Sequence, residues 1–131
     1  MRIFLCRHAE AAAGDPDELR ELTAAGVEQA RRLGETLAAR AGPPLVVLSS
    51  PLLRARQTAE EIGRKVGAAV QLADELAPGA TIETLTQLLD GRPGPVAVVG
   101  HQPDCSEIAY RLTGRDPGFP VAGMVELELE A

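Results

Sequence analysis

Three short runs free of polar residues leave this chain few folds to choose from: Ile3-Phe4-Leu5-Cys6, Leu45-Val46-Val47-Leu48 and Val96-Ala97-Val98-Val99. A run of four apolar residues is too short for a buried helix. With no polar residue at alternate positions, it predicts a strand covered on both faces, as in a parallel sheet flanked by helices. Parallel neighbours need crossover connections, and helical spacing fills the segments between the runs. Thr23 has the chemistry of an N-cap, and Val27, Ala30, Leu33, Leu37 and Ala41 follow it at helical intervals until Gly42-Pro43-Pro44 stops the pattern. Ser49-Ser50-Pro51 reads as a cap and a first-turn proline for a second helix, which buries Leu52, Ala55, Ala59, Ile62 and Val66 and ends by Gly67.

Residues 11–20 and 91–95 read as loops, and residues 69–72 as a short strand. Thr81 caps a helix running to about Leu89, and His101-Gln102-Pro103 opens another that buries Cys105, Ile108, Ala109 and Leu112. From Met124 to Glu130 apolar and acidic residues alternate strictly, the pattern of a half-exposed strand at a sheet edge. The expectation is one α/β domain over residues 1–131, a three-layer α/β/α sandwich. Its sheet is mostly parallel, with an antiparallel C-terminal edge strand. Aromatic residues make up only 2% of the chain, so Leu, Val, Ile and Ala must build the core.

A formal net charge of −6 argues against a nucleic-acid partner, which would require clustered positive charge. No stretch approaches the roughly 20 apolar residues of a membrane span. Cys6 and Cys105 are too few and too far apart for a disulfide framework, so a cytoplasmic setting is expected.

Against this background the residues that end the strands stand out. Arg7-His8 closes the first run, His101 follows the last, and Arg54 lies just beyond the second, in the first turn of its helix. In a parallel sheet all three junctions share the carboxyl edge, where open α/β sheets bind ligands. Arg54 there opposes the helix dipole at a cost of a few tenths of a kcal/mol, roughly, unless an anion sits between them. Arg7, Arg54 and His101 thus form a cage for a dianionic phosphoryl group, since the planar guanidinium fork bonds two oxygens at once. His8 becomes the expected nucleophile as a neutral imidazole, and His101 a cation whose pKa a nearby dianion raises. The fixed cations make a metal or other cofactor unnecessary.

The same residues carry a resemblance. Arg7-His8-Ala9-Glu10 resembles the Arg-His-Gly motif of the histidine phosphatase superfamily, the phosphoglycerate-mutase-like proteins. Leu22-Thr23-Ala24-Ala25-Gly26 matches its Leu-Thr-x-x-Gly step, and the segment from Ser50 to Ala59 its Ser-x-x-x-Arg-Ala-x-x-Thr-Ala pattern. Gly100-His101-Gln102-Pro103 is similar to its second-histidine motif. Small size and the Arg-His-Ala-Glu-Ala start look most like the SixA-type phosphohistidine phosphatases. The resemblance implies a phosphohistidine on His8, with Arg7, Arg54 and His101 binding phosphoryl oxygens. It also implies a general acid after the third strand, where Glu75 fits and Asp74 or Glu10 could serve instead. Ala9 stands where the family usually has Gly, a substitution with a cost if a positive φ is needed there. Larger relatives carry a helical lid after the Arg-Ala-x-x-Thr segment, and the short stretch from Thr58 to Gly79 leaves no room for one. An open site suits a phosphohistidine side chain of a partner protein.

Three alternatives remain at this level. Cys6, His8, His101 and Cys105 have possible zinc-ligand spacings, although Arg7 and Arg54 would then face a cation. A non-catalytic phosphate-binding scaffold would keep the cage and lack the acid. A small-molecule phosphomonoesterase would use the same groups on a different substrate.

Overall fold

The computed structural model describes residues 1–42 and 46–130, so the expected contributions of Pro43, Pro44 and Leu45 lie outside the described residues. Nine elements follow in chain order: β1 (Arg2–Arg7), α1 (Ala24–Ala41), β2 (Val46–Ser49), α2 (Leu53–Val66), β3 (Val70–Leu72), α3 (Ile82–Leu89), β4 (Val96–Gly100), α4 (Asp104–Thr113) and β5 (Met124–Glu128). The sheet runs β3-β2-β4-β1-β5, parallel except for β5, which pairs antiparallel with β1. The strand alternation decides which side chain serves which layer. Ile3 and Leu5 pack with Val96, Val98, Leu85, Leu89 and Ile108 under α3 and α4. Phe4 and Cys6 pack with Val47, Val99, Leu37, Ala59 and Ile62 under α1 and α2. Both clusters are aliphatic apart from Phe4, Cys6, Cys105 and Phe119.

This order places a ligand crevice. The connection from β1 leads through α1 towards β2, while that from β4 leads through α4 in the opposite direction, past β1 to β5. The neighbouring strands β4 and β1 therefore flank a topological switch point at their carboxyl ends. Their register is flush there, with Arg7 opposite Gly100 and His8 N–H donating to the Gly100 carbonyl at 3.1 Å.

Several local signals act as expected. Thr23 accepts a bond from Gly26 N–H at the start of α1, and Thr81 forms a capping box with Thr84. Gly67 closes α2 in the left-handed region. Ser49-Ser50-Pro51 does not open α2: Ser49 completes β2 by pairing with Val99 and Leu72, and α2 begins at Leu53. The ladder holds these residues extended, so Pro51 lies in the connector, and Leu52 is the half-buried N-cap residue rather than part of the buried stripe. The loop before α1 contains a 3-10 turn at Asp17–Leu19 and a bridge between Ala11 and Leu22. From Thr58 to Gly79 the chain contains only the rest of α2, β3 and a 3-10 turn at Asp74–Leu76.

The C-terminal segment folds back onto the strand that ends at the site. Arg7 N–H donates to Gly123 O, Ala122 N–H to His8 O, and Leu129 N–H to Met1 O.

Gly26 in the Leu-Thr-x-x-Gly step has a steric reason. A Cβ at this position would overlap the Glu10 carbonyl oxygen, which is backbone and cannot rotate away. Gly26→Ala is expected to destabilise the fold by about 1–3 kcal/mol, more than the roughly 1 kcal/mol that Ala gains over Gly in a helix. Urea unfolding of the two proteins side by side checks it; an Ala variant as stable as the parent would show that α1 can shift freely off residues 9–11.

Candidate active site

Flush strand ends bring the two histidines together. His8 and His101 each stand one residue beyond the paired Arg7 and Gly100, and their ring centroids are 5.3 Å apart at an interplanar angle of 56°. His8 Nδ1 lies 2.7 Å from the Ala9 carbonyl oxygen. A carbonyl only accepts, so Nδ1 carries the proton and Nε2 retains its lone pair. His101 is buried, with Nε2 2.7 Å from Ser50 Oγ. Ser50 occupies that place because its N–H donates to Val99 O, which continues the β2–β4 ladder by one residue.

The arginines enter from two sides. Arg7 follows β1, and one of its terminal nitrogens donates to Phe119 O at 3.0 Å. Arg54, only 7% exposed, comes from the first turn of α2. Its terminal nitrogens donate to Asp17 O at 3.0 Å and to Asp17 Oδ2 at 3.2 Å. Arg54 is therefore a buried, anchored cation and not a solvated surface side chain. Thr58, one turn along α2, donates to Arg54 O and accepts from Ala9 N–H at 3.0 Å, tying the His8 segment to the helix that carries Arg54.

Among the described residues, three buried side-chain polar atoms have no hydrogen-bond partner: Arg7 Nε, Arg54 Nε and His101 Nδ1. All three belong to residues singled out from the sequence. Leaving such a group unpaired costs about 1–3 kcal/mol each, so their collection at one strand edge calls for an acceptor shared by all. A tetrahedral oxyanion offers several acceptor oxygens.

Electrostatics set the histidines apart from free imidazole. Burial lowers the His8 pKa below its ordinary value; the bond to Ala9 opposes this, and the charges of Arg54, Arg7 and Arg20 add to the lowering. Burial, then His8 and Arg54, push His101 down to about 4, against a smaller upward pull from Asp17. With protein groups alone around it, His101 is therefore neutral at pH 7, whereas the expected cation belongs to the state with a dianion beside the ring. Burial lowers the pKa and a bound dianion raises it, so the two act against each other on this ring.

The carboxylates are placed less tightly. Glu75 and Asp74 are exposed on the 3-10 turn after β3, and neither side chain has a hydrogen bond or ion pair among the described residues. That turn begins beside the site edge, because Ala73 N–H donates to Ser49 O. Glu10 is exposed and accepts from Thr23 Oγ1 at 3.1 Å, which ties it to the start of α1. Ala9 has no positive φ, since among the described residues Ala122 alone of the non-glycine residues has one (φ 56°). Alanine therefore fits at position 9 without conformational cost.

The zinc alternative fails on geometry. Cys6 belongs to the core layer under α1 and α2, and Cys105 to the layer on the other face of the sheet. Burial raises both thiol pKa values, that of Cys105 to about 12, which disfavours the thiolates a metal needs. Among the described residues no group of three or more His, Cys, Asp or Glu side chains is arranged to hold a metal ion.

Three residues of this site had no assigned role in the sequence reading: Asp17, Ser50 and Thr58. Ser50 and Thr58 lie inside the quoted Ser-x-x-x-Arg-Ala-x-x-Thr-Ala segment, which could have marked them. Asp17 sits in an acidic loop where nothing local distinguishes it from Asp15 or Glu18.

Comparison with known proteins bears on the same residues. A family model described as the histidine phosphatase superfamily (branch 1) matches residues 3–78. The phosphohistidine phosphatase SixA of Escherichia coli is 32% identical over 99% of this chain and 86% of its own length. An uncharacterised protein of Picosynechococcus is 33% identical over 97% of this chain and 84% of its own. Among solved structures, the protein histidine phosphatase SixA complexed with tungstate superposes with a TM-score of 0.87 at 28% identity, covering 99% of this chain and 89% of that one. A SixA-type protein described as a putative phosphohistidine phosphatase from Agrobacterium tumefaciens gives a TM-score of 0.82 at 31% identity, over 95% of this chain and 89% of that chain. No helix among the described residues is long and apolar enough to cross a membrane.

Proposed function

Since the chain belongs to the histidine phosphatase superfamily and is a phosphatase of SixA type, we propose that it hydrolyses phosphohistidine on a partner protein through a phosphorylated His8, without a metal or other cofactor. One observation carries the reading. The three unpartnered buried polar atoms are supplied by Arg7, Arg54 and His101, around an imidazole whose Nε2 lone pair is free.

In the first step the His8 Nε2 lone pair attacks phosphorus, an N–P bond forms, and the bond from phosphorus to the leaving atom breaks. The leaving group departs with the electron pair and takes a proton. Arg7 and Arg54 carry the phosphoryl charge as fixed cations, and His101 adds an N–H donor to a phosphoryl oxygen, so the donors need no reorganisation during the reaction. Water then attacks phosphorus and gives a proton to the carboxylate that protonated the leaving group, the N–P bond breaks, the lone pair returns to His8, and orthophosphate leaves. The proton for the leaving group would come from Glu75, whose 3-10 turn starts beside Ser49. An imidazole leaving group needs such an acid less than an alkoxide does, because the P–N bond is labile.

The substrate assignment rests on access. The route from Thr58 to Gly79 adds no element over the site beyond β3 and one turn, so the domain is read as lacking the lid of larger relatives. An open edge admits a phosphorylated side chain and gives a small phosphomonoester few contacts. A mutase would need to shield its phosphoenzyme from water. A cytoplasmic location follows from the same reading, since phosphohistidine proteins and reduced cysteines belong there.

Phosphate release from a phosphohistidine protein, compared with p-nitrophenyl phosphate in the presence of a chelator, tests the proposal. The expected result is preference for the protein substrate, retained with chelator and blocked by vanadate. Binding without release from either substrate would select the scaffold alternative. The same assay gives a pH limb: kcat/KM depends on neutral His8, so activity falls as pH drops through a pKa below the ordinary 6.5. A limb centred above 6.5 would mean that His8 is not the group that titrates.

A further inference from the structure

The second histidine raises a question that the phosphatase reading leaves open: which of its nitrogens carries a proton before substrate arrives. We infer that Ser50 is a positioning residue that fixes His101 as a neutral ring protonated at Nδ1, leaving Nδ1–H for a phosphoryl oxygen.

The hydrogen-bonding groups around Ser50 fix the proton's place. Ser50 is fully buried, and its Oγ has two partners, Leu52 N–H at 3.2 Å and His101 Nε2 at 2.7 Å. The backbone N–H can only donate, so one lone pair of Oγ is occupied and the hydroxyl hydrogen still needs an acceptor. Among the described residues Ser50 Oγ makes no other hydrogen bond, which leaves His101 Nε2 as that acceptor. If Nε2 is bare, the hydroxyl donates to it, and His101 Nδ1–H is the single unpaired group. If Nε2 carries the proton instead, it donates to Oγ. Two groups are then orphaned, the hydroxyl hydrogen and the Nδ1 lone pair. A cationic ring leaves two unpaired hydrogens and a buried charge as well. One orphaned group fewer favours the first arrangement by about tenfold or more in population.

The two imidazoles then share a tautomer and present opposite ends. His8 spends its Nδ1–H on the Ala9 carbonyl and offers a lone pair at Nε2. His101 spends its Nε2 lone pair on Ser50 and offers a hydrogen at Nδ1. Nucleophile and donor are thus distinguished by one backbone carbonyl and one hydroxyl, with no charge on either ring. The permanent positive charge of the cage comes from Arg7 and Arg54. The catalytic consequence rests on the phosphatase reading, whereas the protonation state does not.

Nitrogen-15 NMR of the histidine rings in the whole protein at pH 7 tests the inference without turnover. A His8→Gln variant, which leaves one ring, assigns the His101 signals. The expected pattern for His101 is a protonated Nδ1 and a bare Nε2. Ser50→Ala should convert this pattern to a tautomer mixture and lower kcat/KM on a phosphohistidine protein about tenfold. A purely structural role for Ser50 would leave the ring nitrogens as they are. Protonated Nε2 in the parent, or an unaltered His101 pattern in Ser50→Ala, would overturn the inference. A parent that releases no phosphate but shows the expected nitrogens would defeat the function reading and leave this one standing.

Discussion

Replacing His8 with alanine is expected to remove turnover altogether, by at least about a thousandfold, since the phosphoryl group loses the atom that receives it. Arg7, Arg54 and His101 would still bind an oxyanion in that variant, but water would have to attack the substrate directly. The parent should yield an acid-labile, base-stable phosphate after rapid quenching during turnover, located on His8 by peptide mapping. The variant should yield none. The pair of measurements is stronger than either alone, because a folding defect could lower the rate of the variant but could not place the label of the parent on His8. Parental turnover in His8→Ala, or a label on His101, would end the mechanism.

Arg54→Ala carries the second largest effect. Loss of a preorganised charged donor costs about 2–4 kcal/mol of transition-state stabilisation, a fall in kcat/KM of roughly 30- to 1000-fold. The same substitution should weaken vanadate inhibition. Arg54→Lys separates charge from geometry, because lysine keeps the charge and lacks the planar fork that reaches Asp17 while keeping Nε inward. Lysine is therefore expected to recover only part of the loss. A decrease below tenfold in the alanine variant would show that Arg54 serves the Asp17 loop and not the phosphoryl group.

Much of this architecture was legible because its signals are local. The apolar runs mark β1, β2 and β4, Thr23 and Thr81 mark helix starts by side-chain chemistry, and strict alternation marks β5. His8, His101, Arg7 and Arg54 could be selected because each lies at a strand-to-helix junction, and parallel strands bring such junctions to one edge. What the residues alone could not reveal depends on partners distant in sequence. Ser50-Pro51 has the local chemistry of a helix start, yet the neighbouring strands hold Ser49 in the sheet. Asp17 gains a role only through the fold that sets it against Arg54. The neutrality of His101 depends on the depth of its burial, which no motif encodes. Glu75 was legible only as an acidic position after β3, because an exposed carboxylate with no bond among the described residues has no packing to mark it.

The pairing of β1 with β5 also bears on when the molecule can work. The strand that ends in Arg7, just before His8, is made well before its outer neighbour β5, with every other strand and helix of the domain between them. The carbonyl that holds Arg7, at Phe119, and the loop atoms at Ala122 and Gly123 that border His8 are equally late. At about 5–20 residues per second, several seconds separate the synthesis of these two strands. A ribosome-bound chain short of Met124 would therefore carry His8 on an unpaired sheet edge, with its arginine unanchored. The order of the strands thus predicts that the cage around His8 is complete only after β5 has emerged and docked.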